Sequence, residues 1–540
     1  MNPCLRIPEI VLQVVQHVTS DTTRAAATTT RADLARLART SRLFSHFALE
    51  QLWADERFLK QRDRILINLL RCFPPDLVTL TKTDKGVREV RQLRPFILSD
   101  LDRPARYFQL IRKFYHEPTD TKRLETSILM LFATWLPWDC MFPALEQLRW
   151  TIPFSWDRVN TGDTPEVVLL LRVLLSPKLR SLSLCGIDKG TLSILPLIAA
   201  RKLPLQHLTL HTKRDADLFP VESLATFLCT IDPLEKLDIA PSLHRHVFRN
   251  PESLANLVEL RVTGGTDTPP SDTAFPALRR CVWSETNLTD APRFLRAIHT
   301  SALELLSFEP ELPVATTTLV SHLFSALDAL ETARSSLRSF AIRNSNYELL
   351  SRWEWDCPWQ IDPTALSHLG NFPGLTNVTL IAPGGFGALD DAAVTGLLQQ
   401  LPCLQQLCLT QPNLTAGSQL TLRLLSVAAR HTCLQHLELT MDDSAGPPAG
   451  PVVPSKSVLT TLGVGYTGIA HTDPAPMAHL LAMLFPVVRH IKHQWMDDRE
   501  YLDNDGLLFN IAFDEADHFA ERWNAVLSLV ERRQIRISEQ

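Results

Sequence analysis

Two histidine pairs in this sequence have the spacing of metal ligands: His244 and His246, flanking Arg245, and His490 with His493. Zinc requires three or four nitrogen, sulfur or carboxylate ligands around one point. Neither pair has an acidic or cysteine partner within reach in sequence, so both are expected to be ordinary exposed or partly packed histidines. The ten cysteines contain no C-x-x-C pair, and Cys185, Cys281 and Cys408 fall inside expected strands. That suits free thiols in a reducing compartment better than a disulfide framework. Gly384-Gly385-Phe386-Gly387 is glycine-rich but lacks the lysine of a phosphate loop, and reads as a turn. No G-x-S-x-G, H-E-x-x-H or G-x-x-x-x-G-K string occurs. The expectation is a non-catalytic chain that needs no cofactor and no metal.

What the chain has instead is a repeat. The stretch Pro177 to Leu184, P-K-L-R-S-L-S-L, carries apolar residues at positions one, four and six of a short frame: Leu179, Leu182 and Leu184. Positions four and six share one side of an extended strand, because side chains alternate. The frame recurs from Leu145, Leu179, Leu205, Leu234, Leu257, Leu278, Leu303, Leu337, Leu375, Leu404, Leu434 and Leu459, with a worn thirteenth at Val488/Ile491. Successive copies start 21 to 38 residues apart, which leaves room for a turn, a helix and a return. One strand cannot bury its apolar side alone, but stacked copies can. The pattern predicts an α/β leucine-rich repeat solenoid with parallel inner strands and outer helices. Its ninth positions lack the usual Asn or Cys, so no asparagine ladder is expected.

A hydrophobic content of 45% supports a large core, and a net charge of −5 over 540 residues argues against a broad basic face for nucleic acid. The start, M-N-P-C-L-R-I-P-E, has neither a basic n-region nor an apolar h-region. The apolar run Ile128 to Leu136 is too short to span a bilayer. These features predict a cytoplasmic or nuclear protein without membrane or nucleic-acid partners.

At the amino end, Ile7-Pro8-Glu9-Ile10 opens a helix with Val11, Val14, Val15 and Val18 at helical period. A loop is expected over Thr19–Arg31, then a helix capped by Asp33 carrying Leu34 and Leu37. A third helix should follow Ser41, with Phe44, Phe47, Ala48, Leu52 and Trp53. These residues resemble the F-box, the helical module of ubiquitin-ligase substrate receptors. Its pattern is matched at Ile7-Pro8-Glu9-Ile10, Asp33-Leu34-x-x-Leu37, Thr40-Ser41-Arg42-x-Phe44 and Leu52-Trp53. The sequence departs from it at Ile7 and Thr40 and in the long loop between the first two helices. F-box followed by leucine-rich repeats is a familiar order among fungal receptors. The resemblance implies that Ile7, Pro8, Ile10, Val14, Leu34, Leu37, Phe44, Leu52 and Trp53 bind a Skp-type adaptor and, through it, a cullin–RING ligase. The rival expectation is a leucine-rich scaffold with no ligase role.

The expected organisation is an F-box-like module at 1–54, a helical linker at 55–142, the solenoid at 143–495 and a cap at 496–540. Arg103 to Tyr115 reads as an amphipathic helix within the linker. Phe519, Trp523, Val526 and Val530 make one face of a capping helix from about Asp514 to Arg533. Asp442–Ser457 reads as a loop inserted between repeats. In each repeat, positions three, five and seven should face a protein substrate. The densest charged cluster there is Lys236, Glu259, Arg261 and Arg280, the expected substrate contacts.

Overall fold

The computed structural model describes residues 7–19, 26–54, 64–82, 88–116, 122–151 except 138, 164–187, 191–212, 221–239 except 233, 254–263, and 275–310 except 287. It continues over 315–343, 359–411 except 387, 418–446 except 445, 455–493 except 466 and 470–472, 507–508 and 511–538. The chain divides into two compact units, Met1–His246 and Val247–Gln540. His244 and His246 and most of the Asp442–Ser457 loop lie outside the described residues.

The first unit opens with three helices, α1 (Pro8–Thr19), α2 (Ala26–Leu37) and α3 (Arg42–Ala54). Val11, Val15, Leu34, Phe44 and Ala48 form their common core, with Val18, Leu37, Phe47 and Leu52 packed at its edge. Ser41 caps α3 by accepting the Phe44 amide at 3.3 Å. The second helix starts earlier than expected, at Ala26. Alanine is the strongest helix former, and the pattern of apolar faces undervalued Ala26 and Ala27. Asp33, expected as the cap, lies inside α2 and pairs with Arg36 at 2.8 Å.

Helix Arg64–Leu70 is followed by an antiparallel hairpin of β1 (Val78–Lys82) and β2 (Arg88–Gln92). Arg94 fastens it, reaching Asp76 and the buried Asp100 at 2.7 Å each. The expected helix over 103–115 is a correction: only Pro104–Phe108 is helical, and Lys113–His116 is a strand, β3, parallel to the next. Ile111, Phe114 and His116 occupy the repeat frame, so the sheet begins one copy before Leu145. A histidine at the sixth position hid it. His116 is buried, with its ring centroid 4.1 Å from that of Trp150.

After β3 come β4 (Gln147–Thr151), β5 (Ser181–Ile187), β6 (His207–Thr212) and β7 (Lys236–Ile239), successive parallel neighbours within the first unit. The second unit continues the pattern with β8 (Glu259–Thr263), β9 (Arg280–Thr286), β10 (Leu305–Pro310), β11 (Ser339–Ile342) and β12 (Asn377–Ile381). Then follow β13 (Gln406–Thr410), β14 (His436–Leu439), β15 (Thr461–Gly463) and β16 (His490–Lys492), again parallel neighbours. Every expected copy of the frame is a strand, including the worn one. The register stacks fourth on fourth and sixth on sixth: Leu182, Leu208 and Leu237 are aligned, as are Leu184, Leu210 and Ile239. These side chains are at most 1% exposed. The fold is an α/β repeat solenoid.

Between strands the chain returns through helices such as Thr317–Leu327 and Asp391–Gln400, capped by Thr316 and Asp390. Serines in the turns preceding the strands tie successive repeats together. Ser176, Ser301 and Ser336 donate to the carbonyls of Pro143, Phe275 and Leu303 in the preceding repeat, at 2.8–2.9 Å. Buried carbonyls left unpaired there would each cost about 1–3 kcal/mol.

The carboxy-terminal helix runs from Phe513 to Ser538, starting near the expected place. Phe519, Trp523, Val526 and Val530 are buried. The Trp523 indole donates to the Thr467 carbonyl at 2.8 Å, and a Cβ on Gly468 would stand 3.1 Å from the Phe519 ring.

Candidate functional site

Two surfaces hold the residues singled out in the sequence. On the amino-terminal helices, Ile7 and Val14 are 44% and 36% exposed, Pro8 is exposed, and Ile10, Leu37 and Leu52 are half-buried. Leu34 and Phe44 do not belong with them. They are internal core, at 0% and 8% exposure, and an adaptor could reach them only by opening the module. Trp53 is half-buried and packs on Tyr107 with ring centroids 5.0 Å apart, while Glu50 pairs with Arg112. The end of α3 is thus spent on joining the helices to the rest of their unit. The outward apolar residues are Ile7, just before α1, and Pro8 and Val14 on it.

Of the expected substrate contacts, Glu259 and Arg280 are cross-strand partners on β8 and β9, and Arg261 stands two residues along on the same face. Both arginines are exposed and Glu259 is half-exposed. Lys236 is exposed on β7, in the first unit.

Further along the second unit the same face differs from expectation. Ser307, Ala341, Thr379 and Cys408, at the fifth position, are all buried. They are small, and longer neighbours lie over this row. Asn377 donates to Gln406 at 3.1 Å, and a side chain at Gly463 would collide with Glu438. Burial pushes the Cys408 thiol up to about 12, helped by Glu438. Strand alternation gives the direction of a side chain; the size of its neighbours decides whether it is reachable.

Three residues of the sheet face in the first unit come together in a way that spacing did not reveal. Cys185 on β5 is the cross-strand partner of His211 on β6, whose Nε2 lies 2.8 Å from Oδ1 of Asp238 on β7. The bond to Asp238, then the one to Cys185, raises the imidazole pKa to about 10. Burial opposes ionisation of Cys185, but hydrogen bonds from His211 and Ser183 outweigh it and lower the thiol pKa. Cys281, by contrast, is buried with no such partner and is pushed up to about 12. The sequence signal was available: Cys185 and His211 both hold the seventh position of adjacent repeats, and Asp238 the fifth of the next.

His490 opens β16 and His493 directly follows the strand's last residue. Among the described residues no group of three His, Cys, Asp or Glu side chains is arranged to hold a metal. The spacing G-x-G-x-x-G does occur, at Gly463, Gly465 and Gly468. It serves packing: the sites beside Gly463 and Gly468 are filled by Glu438 and Phe519, and the next helix begins only at Pro474. Gly384 and Gly385 form a turn in which Gly385 takes a φ of 81°. No described helix is long and apolar enough to cross a membrane.

No family model and no curated protein matches the chain. Solved structures similar to it include the Toll–Spatzle complex of Drosophila, at 13% identity and a TM-score of 0.33, covering 71% of this chain and 43% of that one. A TLR13–ssRNA13 complex matches at 15% identity and a TM-score of 0.35, covering 65% and 50%. The Rad7–Elc1 complex of yeast matches at 17% identity and a TM-score of 0.30, covering 55% and 69%. The chain therefore spans about half the length of the first two.

Proposed function

We propose that this chain is a substrate-recognition subunit of a Skp–cullin–F-box type ubiquitin ligase. In this reading α1–α3 dock a Skp-type adaptor and the face of the repeat sheet holds a protein substrate. The transfer chemistry belongs to the partners; this chain supplies position. The observation that carries the reading is the amino-terminal module. Its F-box-like residues close a core of their own around Val11, Val15, Leu34, Phe44 and Ala48, yet leave Ile7, Pro8 and Val14 outside. Apolar residues held outward by a complete core suit partner binding. On the sheet, Glu259 beside Arg280 and Arg261 makes a mixed-charge surface, which suits a protein ligand better than a polyanion. A role of this kind is exercised in the cytosol or nucleus.

The test is copurification with a Skp-type adaptor. Ile7→Asp/Val14→Asp puts two charges on the outward face without touching the core. It should weaken adaptor binding at least tenfold, about 1.4 kcal/mol, with the helical circular dichroism unchanged. Full retention of adaptor by the folded double variant would refute the assignment. On the substrate side, Arg261→Ala/Arg280→Ala should lower capture by a similar factor and leave adaptor binding alone.

A further inference from the structure

We propose that Cys185, His211 and Asp238 form a nucleophilic thiolate site on the sheet face of the first unit, covalently modified by soft electrophiles of the α,β-unsaturated carbonyl class. Nothing in the recognition function requires this constellation, and it is confined to one unit. Its geometry is that of an activated nucleophile: a thiol against an imidazole, and the imidazole oriented by a carboxylate. The bond between His211 Nε2 and Asp238 Oδ1 is 2.8 Å, and the two side chains are 38% and 23% exposed. Cys185 is half-buried, so a small reagent can reach the sulfur while its environment is kept partly dry.

The backbone is also shaped for it. The register of β5 against β6 slips between Cys185 and Ile187, and Gly186 takes a φ of 71° there. A bulge of this kind re-aims the neighbouring side chain, and only glycine adopts that conformation without strain. Around the sulfur stand small or polar groups. Ser183 Oγ lies 3.6 Å from Sγ, and Thr151 is the cross-strand partner on β4. The Thr151 hydroxyl is buried and has no hydrogen-bond partner among the described residues.

The charges facing the thiol favour its anion. His211 contributes from β6 and Arg149 from β4, while Asp238 faces the imidazole from β7. His207 and Lys236 lie at third positions of their repeats; His207 is four residues from His211 along β6, about 13 Å away. In the reaction the thiolate sulfur forms a bond to the β-carbon of the enone. The alkene π pair moves to the α-carbon, and the proton of the imidazolium passes to the resulting enolate. The product is a neutral thioether, with neutral His211 still bonded to Asp238. No oxidant, metal or leaving group is needed.

The experiment uses the full chain and acrylamide as the electrophile, with the modification rate of each cysteine read by peptide mass spectrometry from pH 6 to 8.5. The exposed Cys229 and Cys403 serve as internal standards. Between pH 8 and 6 an ordinary thiol with a pKa of about 8.5 loses roughly 75-fold in thiolate fraction. Cys185 should lose less than about tenfold and be the fastest-labelled cysteine at pH 6. In His211→Asn its pH profile should become that of an ordinary thiol, and Asp238→Asn should move it part of the way. Melting temperatures within a few degrees of the parent would keep both variants interpretable. A Cys185 profile that parallels those of Cys229 and Cys403 would overturn the proposal. So would a Cys185 that labels only after denaturation, or one whose profile is indifferent to His211→Asn.

Discussion

Removing the Trp523 side chain should unravel the carboxy-terminal repeats while leaving distant ones closed. The indole is 1% exposed, and its Nε1 donates to the Thr467 carbonyl at 2.8 Å. Burying a side chain of this size removes roughly 150–250 Å² from water, which at about 25 cal/mol per Å² is worth about 4–6 kcal/mol. Large-to-small measurements in cores put Trp→Ala nearer 3–5 kcal/mol. Trp523→Phe keeps most of the ring and loses the donor, so it should cost about 1–2 kcal/mol. A repeat array is stabilised by nearest-neighbour contacts, so the loss should be local. Amide hydrogen exchange reads it: a local loss of 3 kcal/mol speeds opening by roughly 150-fold. In Trp523→Ala, the amides of Thr461–Gly463 and helix Pro474–Leu484 should exchange faster by at least that factor. Those of β8 and β9 should be within threefold of the parent. An unchanged rate at 461–484 would refute the capping role. A uniform increase along the unit would refute the local-coupling argument.

Leu34→Asp is expected to unfold α1–α3 outright, because it buries a charge in a core where the parent side chain is 0% exposed; loss of helical signal together with adaptor binding separates it from Ile7→Asp/Val14→Asp. Asp390→Ala removes the acceptor of the Ala393 amide at 2.9 Å and should cost about 1 kcal/mol by chemical denaturation. Raising the folded pKa of His211 from 6.5 to about 10 makes its pairing stabilising below pH 6.5, and that contribution is lost as pH rises toward 10. The stability difference between the parent and Asp238→Asn should therefore shrink over that window, read from melts at pH 6, 8 and 10.

The repeat frame was legible because it is written twice, once in the apolar fourth and sixth positions and again in their recurrence. Even Val488/Ile491 was enough to mark β16. Where one of the two signals failed, the reading failed with it. His116 breaks the apolar pattern of β3, and its burial against Trp150 could not be inferred from a residue type that is usually exposed. The amino-terminal helices were legible as elements, but their inward and outward faces were not sorted. Leu34 and Val14 both fit the helical period, and only packing tells that one is core and the other surface.

The sheet face shows why one strand pattern supports different chemistry along its length. Alternation puts positions five and seven on this face in every repeat, so neighbours decide what each side chain can do. Cys408 and Cys185 are both on it. Cys408 is buried beside Glu438, and burial with a carboxylate nearby holds the proton on the sulfur. Cys185 has His211 beside it and Asp238 behind that, and the thiol pKa falls although burial opposes it. The difference comes from one position in each adjacent repeat. A solenoid fixes which residues become lateral neighbours through its register, so the largest influence lowering the Cys185 pKa comes from His211, some 26 residues away in sequence, with Ser183 nearby adding to it. Substituting that lateral neighbour is therefore the perturbation expected to change the thiol's chemistry most.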